Sequence, residues 1–181
     1  MTLLIIGILL WVGAHMFKRL APEARARMGD KGKGLVALAL LASIVLMVIG
    51  YRGTAFVNVW YPPSFMVHIN NLLMLIAFFV FGLSATTGSL RGRLRHPQLL
   101  AVKIWAVAHL LVNGDLASIV LFGSMLIWAG AEVAVINRAE SWERPAPGDP
   151  KRNLLLVVIT VVTFAITAAI HAWLGVWPFP G

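Results

Sequence analysis

The chain has 181 residues, of which 60% are hydrophobic and 12% charged, with a formal net charge of +8 and no cysteine. A soluble domain of this length needs more charge to cover its surface, so the composition excludes that class and indicates a membrane protein with several helices. The lack of cysteine excludes disulfides, thiolate metal sites, covalently attached c-type haem and a cysteine nucleophile.

The predicted elements are helices, because about 20 apolar residues in a helix span the hydrocarbon core of a bilayer. Six segments reach or approach this length: 2–17, 34–50, 67–87, 98–112, 116–136 and 153–174. Positive charges follow the first segment instead of preceding it, so it is predicted to be a retained helix and not a cleaved signal peptide. We therefore predict an all-α membrane protein: one domain, 1–181, built as a bundle of about six transmembrane helices.

The basic residues predict the orientation of this bundle. Thirteen of the 15 Lys and Arg residues lie in the connections after the first, third and fifth predicted helices. The positive-inside rule places these connections in the cytoplasm and both chain termini outside. The charge is then explained by topology, so we expect membrane lipid, and no nucleic acid, as the partner.

Ionisable side chains at membrane depth are costly, so each one marks a candidate functional site. The candidates are His15 in the first helix, Lys103 and His109 in the fourth, Glu132 in the fifth and His171 in the sixth. His68 lies near the outer end of the third helix, and His96 lies at the inner boundary.

His109 is the strongest of these candidates. It shares a helix face with Trp105 and Asn113, four residues away on either side. At about 1.5 Å per residue its depth differs from that of His15 by about 8 Å, so both imidazoles can approach one metal or one flat cofactor. The alternative is that each histidine donates a hydrogen bond to a carbonyl of a neighbouring helix.

Two further candidates have structural alternatives. His171 ends a polar stripe with Thr160, Thr163 and Thr167, which we interpret as a packing face, although a third cofactor contact stays open. For Glu132 we predict a structural ion pair with Lys103 in preference to a role in proton transfer.

The stretch "RHPQLLAVKIWAVAHLLVNGDLASIVLFG", Arg95 to Gly123, resembles the core of the NnrU family of bacterial membrane proteins. "GAHMFKRLAPEARARMG" resembles that family's first helix and basic loop, with His15 at the histidine position. The resemblance implies the bacterial inner membrane and a link to denitrification and nitric-oxide metabolism.

A related domain forms the catalytic part of the plant 15-cis-zeta-carotene isomerase, which this chain resembles in R-H-P-Q followed by W-x-x-A-H. That resemblance implies b-type haem with His15 and His109 as axial metal ligands. The isomerase has a cysteine where this chain has Ala106, so a redox-driven ligand exchange of that kind is not expected here.

The resemblance leaves two kinds of function open, a redox or nitric-oxide-linked component and an isomerase of lipid or carotenoid type. Both imply a small apolar or diatomic substrate, and neither identifies a protein partner. The candidate cofactor-binding residues are His15, Arg95, His96, Trp105, His109, Asn113 and His171. Arg95 is included with Arg91 and Arg93 as a partner for haem propionates that point inward, whereas Arg52 is the basic residue available to propionates that point outward.

The "RHP" motif also resembles the site for S-adenosylmethionine in the isoprenylcysteine carboxyl methyltransferase family. In that alternative His96 contacts the cofactor, although Gln98-Leu99 replaces the usual tyrosine and glycine. We prefer a capping role for His96 at the start of the fourth helix, with Pro97 in the first turn. A membrane helper protein without a cofactor is the third alternative.

Overall fold

The computed structural model describes residues 1–179, and this part of the chain is helical throughout with no strand. Its helices are α1 Thr2–Leu20, α2 Pro22–Arg27, α3 Lys31–Arg52, α4 Met66–Gly82, α5 Pro97–Val112, α6 Leu116–Ala139 and α7 Arg152–Trp173. All six predicted apolar segments are helices, and α2 is an additional short helix in the first basic connection. The all-α prediction is confirmed.

The end of α4 differs from the prediction, because the helix stops at Gly82 and not at residue 87. Hydroxyl side chains after this point compete for the last helical carbonyls. Ser84 Oγ donates to the Phe81 carbonyl and Thr86 Oγ1 to the Gly82 carbonyl. Such local bonds offer the backbone an alternative to the helical ladder, so the apolar character of the segment overstated the length of the helix.

Four helices, α1, α3, α6 and α7, are long and apolar enough to cross a membrane, whereas α4 and α5 are shorter apolar helices. These lengths and compositions indicate an integral membrane protein.

α6 lies at the centre of the helix arrangement. It packs against α1 and α5 and, less extensively, against α3; α1 also packs against α3, and α4 packs against both α5 and α7. The helices therefore follow one another in the order α3, α1, α6, α5, α4, α7. Both edge helices expose long rows of apolar side chains, such as Leu38 and Leu41 of α3 and Val158 and Val161 of α7. These faces suit contact with lipid.

The bundle has two ends, which we name after a residue at each. The Met1 end holds the start of α1 and the turn between α5 and α6; the Arg95 end holds the start of α5 and the end of α6. At the Met1 end, Asp115 caps α6 by accepting a hydrogen bond from the backbone N–H of Ser118 at 2.9 Å. The turn signal Asn113-Gly114-Asp115 predicts an antiparallel hairpin of α5 and α6, and this hairpin is present.

Candidate functional site

His15 lies on α1 in an aromatic setting. Its Nδ1 donates a hydrogen bond of 3.0 Å to the carbonyl of Trp11, four residues earlier. Its ring lies 4.2 Å from the Trp11 ring and 4.6 Å from the Trp128 ring of α6, measured between centroids. Since a carbonyl only accepts, Nδ1 carries the proton and Nε2 keeps its lone pair.

His109 repeats this arrangement on α5. Its Nδ1 donates to the carbonyl of Trp105 at 2.9 Å, again four residues earlier. Its ring lies 5.4 Å from the Trp105 ring and 4.6 Å from the Phe122 ring of α6. Neither His15 nor His109 uses Nε2 in a hydrogen bond with another residue between positions 1 and 179.

Sequence reasoning missed the signal that unites these two histidines. Residues 11–15 read "WVGAH" and residues 105–109 read "WAVAH", so the pattern W-x-x-A-H occurs twice. In both copies the tryptophan supplies the carbonyl for Nδ1, and its ring lies tilted beside the imidazole. The alternative of a hydrogen bond to a neighbouring helix is wrong, because each bond stays within its own helix.

α6 is the element that both histidines share. His15 contacts it at Trp128 and His109 contacts it at Phe122, six residues apart. At about 1.5 Å per residue this is a difference in depth of about 9 Å. The two rings therefore contact α6 at different depths.

Two buried indole groups next to His15 lack a partner. Trp11 Nε1 and Trp128 Nε1 are both inaccessible and form no hydrogen bond within the described residues. The two rings pack edge to face at 5.3 Å. Buried donors without an acceptor are costly, so this pocket suits a group or molecule that accepts hydrogen bonds.

His171 is closer in the order of helices to His109 than to His15, since α7 packs against α4 and α4 packs against α5, whereas α1 lies beyond α6. His171 Nδ1 donates to the Thr167 carbonyl at 2.8 Å. The neighbouring Thr160 and Thr163 donate to carbonyls of their own helix, as expected for a packing face.

Asn113 bonds to the backbone of His109, and the Trp105 ring lies beside the His109 ring. Asn113 Nδ2 donates to the His109 carbonyl at 2.8 Å and so closes the end of α5. Trp105 also lines an apolar groove of about 220 Å³ between α4 and α5. The other residues that line the groove are Met74, Ala77, Phe78, Phe81, Ala101 and Val102.

Arg95 and His96 tie α5 to α6 at the Arg95 end. Arg95 Nη2 donates to the Glu140 carbonyl at 2.6 Å, and His96 Nε2 donates to Asn137 Oδ1 at 2.8 Å. His96 occupies the N-cap position of α5 but its side chain makes no cap bond, so the capping prediction is wrong for the imidazole.

Arg19 of α1 joins this cluster through Glu140. Its guanidinium lies 2.6 Å from Glu140 Oε1. This hydrogen bond, together with the charge of Arg19, lowers the pKa of the Glu140 carboxyl below its ordinary value. Three helices, α1, α5 and α6, are thereby linked at one end of the bundle.

The predicted ion pair between Lys103 and Glu132 is wrong, since no such contact is present among the described residues. The register of the hairpin explains this. With the turn centred on Gly114, the residue level with Lys103 is Met125, and Glu132 lies about 10 Å further along α6. Glu132 is instead 8% exposed, and its Oε2 has no hydrogen-bond partner in the described chain.

No group of three or more His, Asp or Glu side chains converges on a metal site within residues 1–179. A porphyrin supplies four nitrogen ligands itself and needs one or two from the protein. The fold and these side chains define the class of protein: a helical membrane protein with two half-buried histidines, His15 and His109, in its apolar helices.

The comparison with known families identifies the chain more closely. The family model described as "NnrU protein" matches residues 3–178, nearly the whole chain, so the protein belongs to the NnrU family. No curated protein and no solved structure matches it.

Proposed function

We propose that this NnrU-family protein binds b-type haem in the membrane, where His15 and His109 would hold the haem iron. The observation that carries the proposal is the hydrogen bond that both histidines make from Nδ1 to the carbonyl of a tryptophan four residues earlier. Ligand histidines commonly donate their other ring N–H to a carbonyl or carboxylate, which fixes the ring and directs the free nitrogen at the metal. Both W-x-x-A-H segments provide this bond.

The surroundings of the two histidines fit haem in two respects. The aromatic rings of Trp11, Trp105, Phe122 and Trp128 supply an apolar lining for a porphyrin. The unpartnered indole N–H groups of Trp11 and Trp128 are donors for which a propionate oxygen is an acceptor. Arg95 adds positive charge at the Arg95 end of the bundle, where its guanidinium also donates to the Glu140 carbonyl.

Haem held by two histidines supplies a one-electron redox centre and, after loss of one ligand, a position for nitric oxide. The protein's own residues position the cofactor: the tryptophan carbonyls hold the imidazole tautomers, and Asn113 fixes the backbone below His109. We therefore propose a redox or nitric-oxide-linked component of the bacterial inner membrane.

The groove between α4 and α5 favours a second candidate of isomerase type. Its lining is apolar, and Trp105 joins it to His109 one helical turn away. An elongated apolar molecule dissolved in the bilayer fits such a lining better than a polar one. A lipid or carotenoid-type substrate would then reach the cofactor from within the membrane.

The cofactor proposal is tested with protein expressed with added haem and purified in detergent. We expect a Soret band, sharp α and β bands on reduction, and a pyridine extract typical of haem b. His109→Ala should abolish haem retention, and His15→Ala should abolish or strongly reduce it.

Two variants serve as controls. Lys103→Met changes a polar residue of the same helix, and His68→Ala removes an exposed histidine of α4; both should retain haem at the wild-type ratio. A colourless wild-type protein would overturn the proposal and favour a helper protein without a cofactor. If His15→Ala retains its haem and His171→Ala loses it, then His171, and not His15, is the ligand.

A further inference from the structure

Glu132 is a buried carboxyl without an identified role. It lies on α6 about 10 Å inward from the end of that helix, at Ala139, by the helical rise. It is 8% exposed, and Oε2 is inaccessible and unpartnered in residues 1–179. An ionised carboxylate in such a place is costly, and a carboxyl at membrane depth commonly serves proton transfer.

No charged group among the described residues forms an ion pair with Glu132 that would keep its carboxylate ionised. From α1, Arg19 is close enough for its charge to act on Glu132, but its guanidinium is already bonded to Glu140. From α5, Lys103 forms no ion pair with it. α3 carries no charged residue between Lys33 and Arg52.

Glu132 lies between an accessible end of the bundle and the pocket of His15. Toward the Arg95 end, exposed Glu140 is eight residues away, about 12 Å along the helix. Toward the Met1 end, Trp128 is one turn away on the same face, about 6 Å. Trp128 and Trp11 both contact the His15 ring and both have unpartnered indole N–H groups.

We propose that Glu132 is the proton-exchanging group that connects the Arg95 end with the pocket of His15. Its carboxylate binds one proton from the aqueous phase at that end when a one-electron donor reduces the cofactor, and releases that proton on reoxidation. One electron is thus accompanied by one proton, and the buried pocket gains no net charge. The electron-linked part of this role rests on the proposed haem function; the proton-exchanging site itself does not.

The first readout is independent of any cofactor. Infrared spectra of the protein in lipid nanodiscs, recorded between pH 5 and pH 9 in H2O and D2O, report the C=O stretch of a protonated carboxyl. We expect one such band, sensitive to pH and deuterium, that is absent in Glu132→Gln and retained in the control Glu143→Gln, which alters an exposed residue. Absence of the band in the wild type across this range would overturn the proposal.

The second readout is the midpoint potential of the haem-loaded protein as a function of pH. One proton per electron lowers the potential by about 59 mV for each tenfold fall in proton concentration. We expect a slope approaching this value in the wild type and in Glu143→Gln, and a flattened slope in Glu132→Gln. Glu132→Asp keeps the carboxyl, so the midpoint potential should again depend on pH and the infrared band should be present at a shifted frequency.

The two readouts separate the two proposals. Wild-type protein that binds no haem but shows the Glu132 infrared band contradicts the haem function and supports the proton site. Haem-loaded Glu132→Gln with an unchanged slope contradicts the electron-linked role of Glu132 while the haem function stands.

Discussion

The carbonyl oxygen of a helical residue can accept two hydrogen bonds, and the tryptophan carbonyl of each W-x-x-A-H segment accepts both. The backbone N–H four residues on occupies one lone pair, and the histidine Nδ1 takes the other. His15 and His109 thus have their rings oriented by their own helices before any contact with a neighbour.

The ion pair of Arg19 and Glu140 makes stability depend on pH. Arg19 lowers the pKa of Glu140 from its ordinary 4.5 in the folded state, so the stabilisation is present above pH 4.5 and is lost as pH falls through the folded-state value. Glu140→Gln should therefore lower the thermal midpoint slightly at pH 7 and not at all below the folded-state pKa. The effect is small because Glu140 is exposed and solvent screens the pair.

This prediction is checked by thermal unfolding in detergent from pH 3 to pH 7. High salt should reduce the difference at pH 7, since surface pairs are screened. A difference between wild type and Glu140→Gln that persists unchanged to pH 3 would show that the pair is not its source.

The turn between α5 and α6 depends on a close backbone approach at Gly114. The segment before α4 crosses this turn, and the backbone N–H groups of Val59 and Trp60 both donate to the Gly114 carbonyl. A Cβ on Gly114 would lie 1.8 Å from the Trp60 carbonyl oxygen. Leu116 also donates its N–H to the Val57 carbonyl, so the two segments form one covering layer.

Gly114→Ala should destabilise the protein by about 1–3 kcal/mol, the usual cost of overpacking, because the Trp60 backbone must move. Gly123→Ala is the matched control on α6, since a Cβ there meets nothing within 4 Å. That change should be neutral or stabilising by up to about 1 kcal/mol. Equal thermal midpoints for the two variants would contradict the close approach.

The turn between α5 and α6 shows which features can be predicted from residues that are close together in the sequence. Asn113-Gly114-Asp115 predicted a tight connection, and the Asp115 cap confirms it. The close contact with Trp60 could not be predicted, because it joins segments more than 50 residues apart. The hairpin turn also predicts that Lys103 and Glu132 lie on adjacent helices. Their different depths could not be predicted, because they depend on the register between α5 and α6.

The whole bundle is expected to place its Arg95 end in the cytoplasm and both termini outside. The absence of cysteine permits a direct test with single introduced cysteines. Ser64 lies exposed at the Met1 end and Ser141 exposed at the Arg95 end.

In intact cells a membrane-impermeant maleimide should label Ser64→Cys, whereas Ser141→Cys should react only after the membrane is opened. The cysteine-free wild type gives the background. Labelling of Ser141→Cys alone in intact cells would show that the orientation is the reverse of the prediction. Equal labelling of both variants would contradict an odd number of membrane-spanning helices between the two residues.

The helical class, the positions of the six apolar helices, the family and the two candidate histidines could all be predicted from the amino-acid sequence. These properties depend on apolar length, charge distribution and local motifs, all of which are contiguous in the chain. Helix packing shows that α6 stands between α1 and α5 and that α7 packs against α4. It also shows that Arg95 and His96 bond to residues at the end of α6, and that Glu132 has no ion-pair partner among residues 1–179. Those facts depend on helix order and on register between helices, and both are set by side-chain packing between segments that are distant in the sequence.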